Sequence, residues 1–406
     1  MKAYKRLITY AKVHTASADD VENTPTTQRQ FDLAYLLEKE MNAMGISGVS
    51  VDEHAYVYGR IPATPGYESK PCVGFIAHLD TIPDFCGENV KPRIVENYDG
   101  GDVVLGDSGR VLSPKDFPHL KNMVGRTLVV TDGTTLLGAD DKAGIAEILT
   151  MAEQVMAENI PHGDIALCFC PDEEVGHGAS LLDIPGFGAD FAYTLDGDIE
   201  GGIEYENFNA AAAKVSFAGF NVHPGTAKDT MINASLVAME FNSMLPSGDT
   251  PRDTEDHEGF FHLTDMSGDV EKAELQYIIR DHDAGAFAAR KSMLTHIVKL
   301  LNAKYGEGTV TLTVREQYRN MLEVMEQHFD VVELAIAATK EAGLEPHICP
   351  VRGGTDGAQL TWRGLPCPNL GTGGFAYHGP FEHVSVEGMD KAVEVLVNIV
   401  KGAAKK

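Results

Sequence analysis

Residues 165–178 read Ile165-Ala166-Leu167-Cys168-Phe169-Cys170-Pro171-Asp172-Glu173-Glu174-Val175-Gly176-His177-Gly178. The first six are apolar without alternation and end at a proline. That pattern belongs to a strand buried on both faces, as in a parallel sheet. Chemistry begins where the apolar run stops, with two adjacent glutamates. Neighbouring carboxylates repel each other; a solvated loop tolerates this, and so does a site that takes a cation. Two other runs end in the same way. Val73-Gly74-Phe75-Ile76-Ala77 leads into His78-Leu79-Asp80, and Phe191-Ala192-Tyr193-Thr194-Leu195 leads into Asp196-Gly197-Asp198. Between them, residues 142–156 place Ile145, Ile148, Leu149, Ala152, Val155 and Met156 on one helical face. Strands alternating with helices predict an α/β fold with a largely parallel sheet.

Outward from this centre the pattern persists and then changes. Leu33, Leu36, Leu37, Met41 and Met44 form one face of an early helix that Gly45 closes. Residues 87–132 are polar and rich in Gly, Pro and Asp, which predicts an excursion with short hairpins. After about residue 207, the stretches at 214–217, 275–279 and 310–314 alternate, as strands with one solvated face do. Helical stretches at 233–244 and 285–303 separate them, predicting a β-α-β-α-β sandwich over residues 208–317. Residues 1–207 and 318–406 then form the first and second segments of one α/β domain. The last helix carries Met389, Ala392, Val393, Leu396, Val397 and Val400 on one face.

The chain's 406 residues suggest two or three domains at roughly 150 residues each. Its 33 basic and 60 acidic residues give a formal net charge of −27. Such a surface repels phosphate backbones and anionic lipid, which argues against nucleic-acid and membrane partners. No apolar run reaches about 18 residues, so no transmembrane helix is expected. The opening residues lack the apolar core of a signal peptide, and a cytoplasmic protein is expected. The six cysteines contain no C-x-x-C pair. They read as small buried hydrophobes in a reducing compartment.

The candidate catalytic residues stand at strand ends and in the loops that follow. His78 and Asp80 are two apart and share a face of an extended chain. A carboxylate beside a histidine ligand holds the ring and fixes its tautomer, although an isolated H-x-D is more often chance. In Gly138-Ala139-Asp140-Asp141-Lys142, one Asp suffices to cap a helix. The other is free to bridge two cations. Glu173 and Glu174 fit two different roles, one as ligand and one as proton shuttle. Asp196 adds a carboxylate, and the glycine-rich loop 371–383 adds His378. In an open α/β sheet the strand C-termini converge on one crevice. Two histidines with three carboxylates suit zinc or a similar borderline cation. A carboxylate shared by two ions gives a two-metal site with the ions about 3.5–4 Å apart.

Together AHLDTIP (77–83), GADDKAG (138–144), PDEEVGHG (171–178), TLDGD (194–198) and the late His378 resemble the co-catalytic zinc peptidases. That group includes aminoacylases, glutamate-type carboxypeptidases and aminotripeptidases. The likeness runs from the opening segment to HGPFEHVSVEGM (378–389), and within the group it is similar to the bacterial tripeptide aminopeptidases. The resemblance implies a zinc-peptidase catalytic domain whose inserted α+β sandwich is a lid and dimerisation domain. It implies that His78, Asp140 and Asp196 hold one Zn²⁺, and that Asp140, Glu174 and His378 hold a second, with Co²⁺ or Mn²⁺ also fitting. Asp80 would clamp His78, Glu173 would be the general base, and the Asp140–Asp141 peptide would be cis.

The resemblance further implies a homodimer in which His223, within Asn221-Val222-His223-Pro224, reaches the partner's active site. An edge strand at about 228–233 is expected to pair the subunits. Asn233, Arg280 and the loop 352–356, with Gly354 and Thr355, are expected to contact substrate. Arginine is the natural bidentate partner of a peptide's C-terminal carboxylate. His383 is expected to be a surface or structural residue. The expected activity is removal of the N-terminal residue from short peptides, tripeptides above all. An N-acyl amino-acid deacylase or dipeptidase on the same scaffold is the alternative. A metal-dependent binding protein without catalysis is a third reading, against which the extra carboxylate of Glu173 beside Glu174 argues.

Overall fold

The structure, a computed structural model, describes residues 1–406. It divides into two compact units, one of Met1–Tyr205, Glu323–Cys349 and Thr355–Lys406, the other of Glu206–Leu322 and Pro350–Gly354.

The first unit is built on an eight-stranded sheet. Its order is Ser47–Val51, Val57–Ile61, Ile165–Cys170, Val73–His78, Phe191–Gly197, Asn369–Gly371, Gly202–Glu204, His347–Ile348. From Ile165–Cys170 to Asn369–Gly371 the neighbours are parallel. The flanks join antiparallel, so the sheet is mixed with a parallel centre. Both faces are covered, which is why the central strands show no alternation. On one face the helix Ala139–Ala157 lies over the strands, with Ala3–Tyr10 and Val386–Ala403 beside it. Gly144 lets that helix sit directly on the sheet: a Cβ there would lie 2.2 Å from the Leu195 carbonyl oxygen. On the other face Ile76, Cys168, Cys170 and Ala192 pack with Phe187, Leu360 and Leu365. The helix Gln30–Met44 buries Leu33, Leu37 and Met41 and ends at Gly45, whose φ is 84°. No helix is long and apolar enough to cross a membrane.

The polar stretch 87–132 holds more order than its composition suggests. Val103–Leu105 pairs with Arg110–Leu112, and Tyr98, Leu105, Leu112, Leu120 and Leu128 close a small core. Leu128–Val130 lies between Arg93–Val95 and His383–Ser385, and the latter pairs with Gly374–Phe375. This antiparallel sheet presents residues 376–382 as a hairpin loop, and His378 is in it.

The second unit is a four-stranded antiparallel sheet in the order Phe260–Gly268, Lys272–Asp281, Asn209–Ala218, Val310–Tyr318. Helices Ala234–Ser243 and Ala284–Tyr305 pack on it around Val215, Phe217, Phe241, Leu275, Leu294 and Leu301. The sequence pattern predicts three strands here; the fourth, Phe260–Gly268, buries only its first two residues, and its register shifts between Leu263 and Asp265, so no regular apolar period marks it. The expected edge strand at 228–233 does not form. Asp229 has φ 56°, the segment turns, and only Ile232 makes an isolated bridge, with Phe220. The sheet's edges are Phe260–Gly268 and Val310–Tyr318.

All six cysteines are free thiols; Cys72, Cys168, Cys170 and Cys367 are buried, but Cys86 is exposed and Cys349 half-buried, contrary to the uniform burial expected.

Candidate metal centre

The register of the parallel strands levels three residues. His78 stands opposite Cys170, and Ile76 stands opposite Thr194, so Asp196 falls beside His78 at the same sheet edge. Glu173 and Glu174 follow Cys170 in a short 3-10 turn. Asp140 arrives from the start of the helix Ala139–Ala157, where Asp140 and Asp141 have non-helical dihedrals and are joined by a cis peptide bond. His378 reaches in from its hairpin loop, with φ 64°.

These side chains converge. The Nε2 atom of His78 lies 2.9 Å from Asp140 Oδ1 and 3.4 Å from Asp196 Oδ1. The Nε2 atom of His378 lies 3.0 Å from Asp140 Oδ2 and 3.2 Å from Glu174 Oε2. Asp140 therefore offers one oxygen to each of two imidazoles. The ligand atoms of His78, Asp140 and Glu174 all lie within 4.8 Å of one another, as do those of His78, Asp141 and Asp196. Asp141 is the less apt ligand, because its oxygens accept the backbone N–H groups of His78 at 3.0 Å and Gly144 at 3.3 Å.

Burial and mutual repulsion set the electrostatics. Burial, reinforced by Asp140, pushes the Glu174 carboxyl up to about 7. Burial raises Asp196 to about 6, with His78 opposing and Asp140 adding to the shift. Glu173 is raised by burial and by Asp196. Asp140 is the exception: burial alone would raise it, but hydrogen bonds from His378 and His78 hold it below the usual carboxylate range. The same contacts with Asp140 and Glu174 lift His378 to about 11. Two imidazole nitrogens facing several buried carboxylates form a donor set that fits divalent cations.

Several supporting residues escape a linear reading. Asp80, fully buried, accepts the backbone N–H groups of Glu173 at 3.0 Å and Glu174 at 3.2 Å, and its Oδ1 is 3.3 Å from His78 Nδ1. It thus ties the imidazole to the glutamate turn as well as orienting it. Asp172 anchors that turn from the other side, accepting from the Thr26 hydroxyl and the Gln30 amide at 2.6 Å each. Asn369 Oδ1 accepts the Asp196 N–H at 3.0 Å. Glu382 accepts three backbone N–H groups, from Leu137, Gly138 and Asp140. Burial lifts the Asp356 carboxyl to about 7, with His78 opposing. Of these, only Asp80 and, within the loop 352–356, Asp356 have a role read from the sequence; Asp172 and Glu382 lie in the motifs quoted above without a role of their own, and Asn369 lies outside them.

The remaining candidates lie apart from this cluster in sequence and have partners of their own. His223 is exposed; its Nδ1 accepts the Gly225 N–H at 3.1 Å, which assigns the proton to Nε2. The Asn233 side-chain oxygen caps the helix Ala234–Ser243 through Leu236 N–H at 3.3 Å. Arg280 donates to the carbonyls of Ala211 and Ile279 and to Gln317, and lies 5.2 Å from the Tyr318 ring centroid. The Arg352 guanidinium is occupied by the carbonyls of Thr254, Asp256 and Glu258. Gly354 packs against the Tyr318 ring, where a Cβ would lie 2.8 Å away. Thr355 is buried and caps the helix Asp356–Trp362. His383 is structural and not at the surface: it is fully buried, with Nε2 3.0 Å from His119 Nε2, among Phe117, Phe375 and His119.

The chain is similar to known proteins over its whole length. It is 52% identical over 406 residues to a protein of Clostridium perfringens named Peptidase T, covering 100% of both chains. Its fold matches an aminopeptidase PepT structure from Bacillus cereus with a TM-score of 0.79 at 23% identity, covering 99% of this chain and 98% of that one. It also matches a Bacillus subtilis protein described as a dinuclear metal-binding peptidase, with a TM-score of 0.66 at 13% identity and 98% of both chains covered. The model of peptidase family M20/M25/M40 matches residues 130–402, and the chain belongs to that family of peptidases.

Proposed function

We propose that the chain is a two-metal aminopeptidase that releases the N-terminal residue of short peptides, tripeptides above all. The observation that carries this reading is Asp140, whose oxygens lie 2.9 Å and 3.0 Å from the imidazoles of His78 and His378. His78, Asp140 and Asp196 would hold one ion, and Asp140, Glu174 and His378 the other. Zinc is the ion we assign; cobalt and manganese suit the same donors. The bound ions would polarise the scissile carbonyl and lower the pKa of water from about 15.7 toward about 7. The name Peptidase T, borne by a full-length relative at 52% identity, supports the aminopeptidase reading.

The chain's own groups do the remaining work. Glu173 takes the proton of the attacking water and returns it to the leaving amine. Asp80 holds the Glu173 backbone and the His78 ring in one frame. His223, a donor through Nε2–H, supplies a hydrogen bond to the developing oxyanion from the partner subunit of a homodimer. The Asn233 amide assists His223 in this donation, and the dimer forms through the second unit. Arg280 takes the substrate's C-terminal carboxylate, and Gly354 and Thr355 line its path. We place the enzyme in the cytoplasm.

The test is a panel of di-, tri- and tetrapeptides and N-acetyl amino acids, assayed before chelation, after chelation and after metal return. Preferred cleavage of tripeptides, lost on chelation and restored by metal, is expected. Preferred turnover of N-acetyl amino acids would instead make the chain a deacylase. Full activity in protein shown to be metal-free would end the metal reading.

A further inference from the structure

Two buried carboxylates fix the backbone around the cluster, and they come from opposite ends of the chain. Asp80 holds the Glu173–Glu174 turn. Glu382, 1% exposed, holds the turn before Asp140, accepting N–H groups from Leu137 at 2.6 Å, Gly138 at 2.8 Å and Asp140 at 3.0 Å. A third buried group belongs with them and takes no part in the chemistry above. Lys142 is 1% exposed, and its ammonium donates to the Val13 carbonyl at 2.8 Å. Its own N–H donates to the Gly138 carbonyl at 3.3 Å. Gly138 has φ 74°, and a Cβ there would lie 3.4 Å from Lys142 Nζ, so the ammonium lies against the turn that Glu382 holds. Burial lowers the Lys142 ammonium to about 8, with Glu382 and Asp80 opposing the shift. A buried ammonium is costly unless its charge is balanced, and so are buried carboxylates.

We propose that Lys142 and Glu382 are positioning residues that hold the Asp140 turn in its metal-binding geometry. The inference rests on the two-metal reading. Asp140 must present one oxygen to the side of each imidazole, and His78 and His378 belong to different segments. A turn free to rotate would satisfy one side at the expense of the other. Glu382 fixes the turn through three N–H groups, and it lies four residues after His378, so it also ties the hairpin of one imidazole to the carboxylate between them. Lys142 packs against the same turn, its ammonium held by the Val13 carbonyl.

The direction of the metal response separates positioning from plain electrostatics. A cation near a metal site weakens metal binding by repulsion, so if Lys142 were only a charge, removing it would tighten binding. If it positions the turn, removing it weakens binding. The experiment uses full-length protein stripped by chelation and titrated with Co²⁺, with binding read from the cobalt absorption bands and folding from circular dichroism. Wild type is compared with Lys142→Gln, Glu382→Gln and the double variant.

Each single variant should weaken Co²⁺ binding by about 10–100-fold, the usual cost of losing a group that supports a ligand. The double variant should be no weaker than the worse single one, because both groups act on one turn. A folded Lys142→Gln that binds Co²⁺ as tightly as wild type, or more tightly, overturns the proposal, as does additivity in the double variant. Should Lys142→Gln not fold, unchanged Co²⁺ binding in Glu382→Gln overturns it. Wild-type protein that binds no Co²⁺ would instead refute the two-metal reading itself.

Discussion

Asp80 accepts the backbone N–H of Glu173 at 3.0 Å, so the residue expected to orient a histidine also fixes the proposed general base. Replacing Asp80 with Ala removes the acceptor of two N–H groups, those of Glu173 and Glu174. A buried donor left without a partner costs about 1–3 kcal/mol. Asp80→Ala should lower the melting temperature of the metal-free protein and weaken metal binding by about 10–100-fold. Calorimetry and metal titration check the two effects; an unchanged melting temperature would show that water replaces the carboxylate.

Glu173 and Asp140 should separate chemistry from metal. Glu173→Gln or Glu173→Ala should retain both ions by elemental analysis while kcat falls by about 10²–10⁴-fold, the typical share of general acid–base catalysis. Asp140→Ala should lose metal along with activity, because both ions share that carboxylate in the proposed site. A near-normal kcat in Glu173→Ala would identify another group as the base.

If Arg280 receives the substrate's C-terminal carboxylate, amidated tripeptides should be poor substrates. A charge-assisted hydrogen bond contributes about 1.5–3 kcal/mol, which corresponds to a loss of roughly 10–150-fold in kcat/KM. Arg280→Ala should erase the difference between free and amidated peptides. Equal kcat/KM for both peptides in the wild-type enzyme removes this role from Arg280.

His223 should act across a dimer. A His223→Ala subunit mixed under exchange conditions with a Glu173→Ala subunit forms dimers with one intact site if the histidine works in trans. The other site then lacks both groups, and activity returns. If it works in cis, each site lacks one group and activity stays low. Activity in a strictly monomeric protein would also exclude the trans arrangement.

Burial holds the His383 imidazole down at about 4, well below its ordinary value of roughly 6.5. Between these pH values the unfolded chain takes up a proton that the folded chain refuses. The stability contributed is therefore complete above about pH 6.5 and is lost as the pH falls through this window, by about 3 kcal/mol at most. In metal-free protein, His383→Phe should flatten the fall in melting temperature between about pH 6.5 and pH 4. An equal slope in variant and wild type would assign the acid sensitivity elsewhere.

Much of the candidate site could be read in one dimension because parallel sheets have a simple rule. Strands Val73–His78, Ile165–Cys170 and Phe191–Gly197 are covered on both faces, so their sequences are continuously apolar and their polar residues begin at the ends. The sequence alone thus determined the α/β class, the long helices other than Phe329–Glu341, and the placement of His78, Glu173, Glu174 and Asp196 at strand ends. It did not mark Phe260–Gly268 as a strand, since an edge with most residues in solvent carries no apolar period. Nor did it reveal the burial of His383, because the sheet that covers it joins Leu128–Val130 to His383–Ser385 from distant parts of the chain. Which oxygen of Asp140 faces which imidazole, the triple grip of Glu382 on residues 137–140 and the place of Lys142 against that turn were decided by tertiary structure alone. Local sequence fixes periodicity and strand ends, whereas a buried carboxylate finds its N–H partners only when folding brings together segments hundreds of residues apart and excludes the water that would otherwise satisfy them.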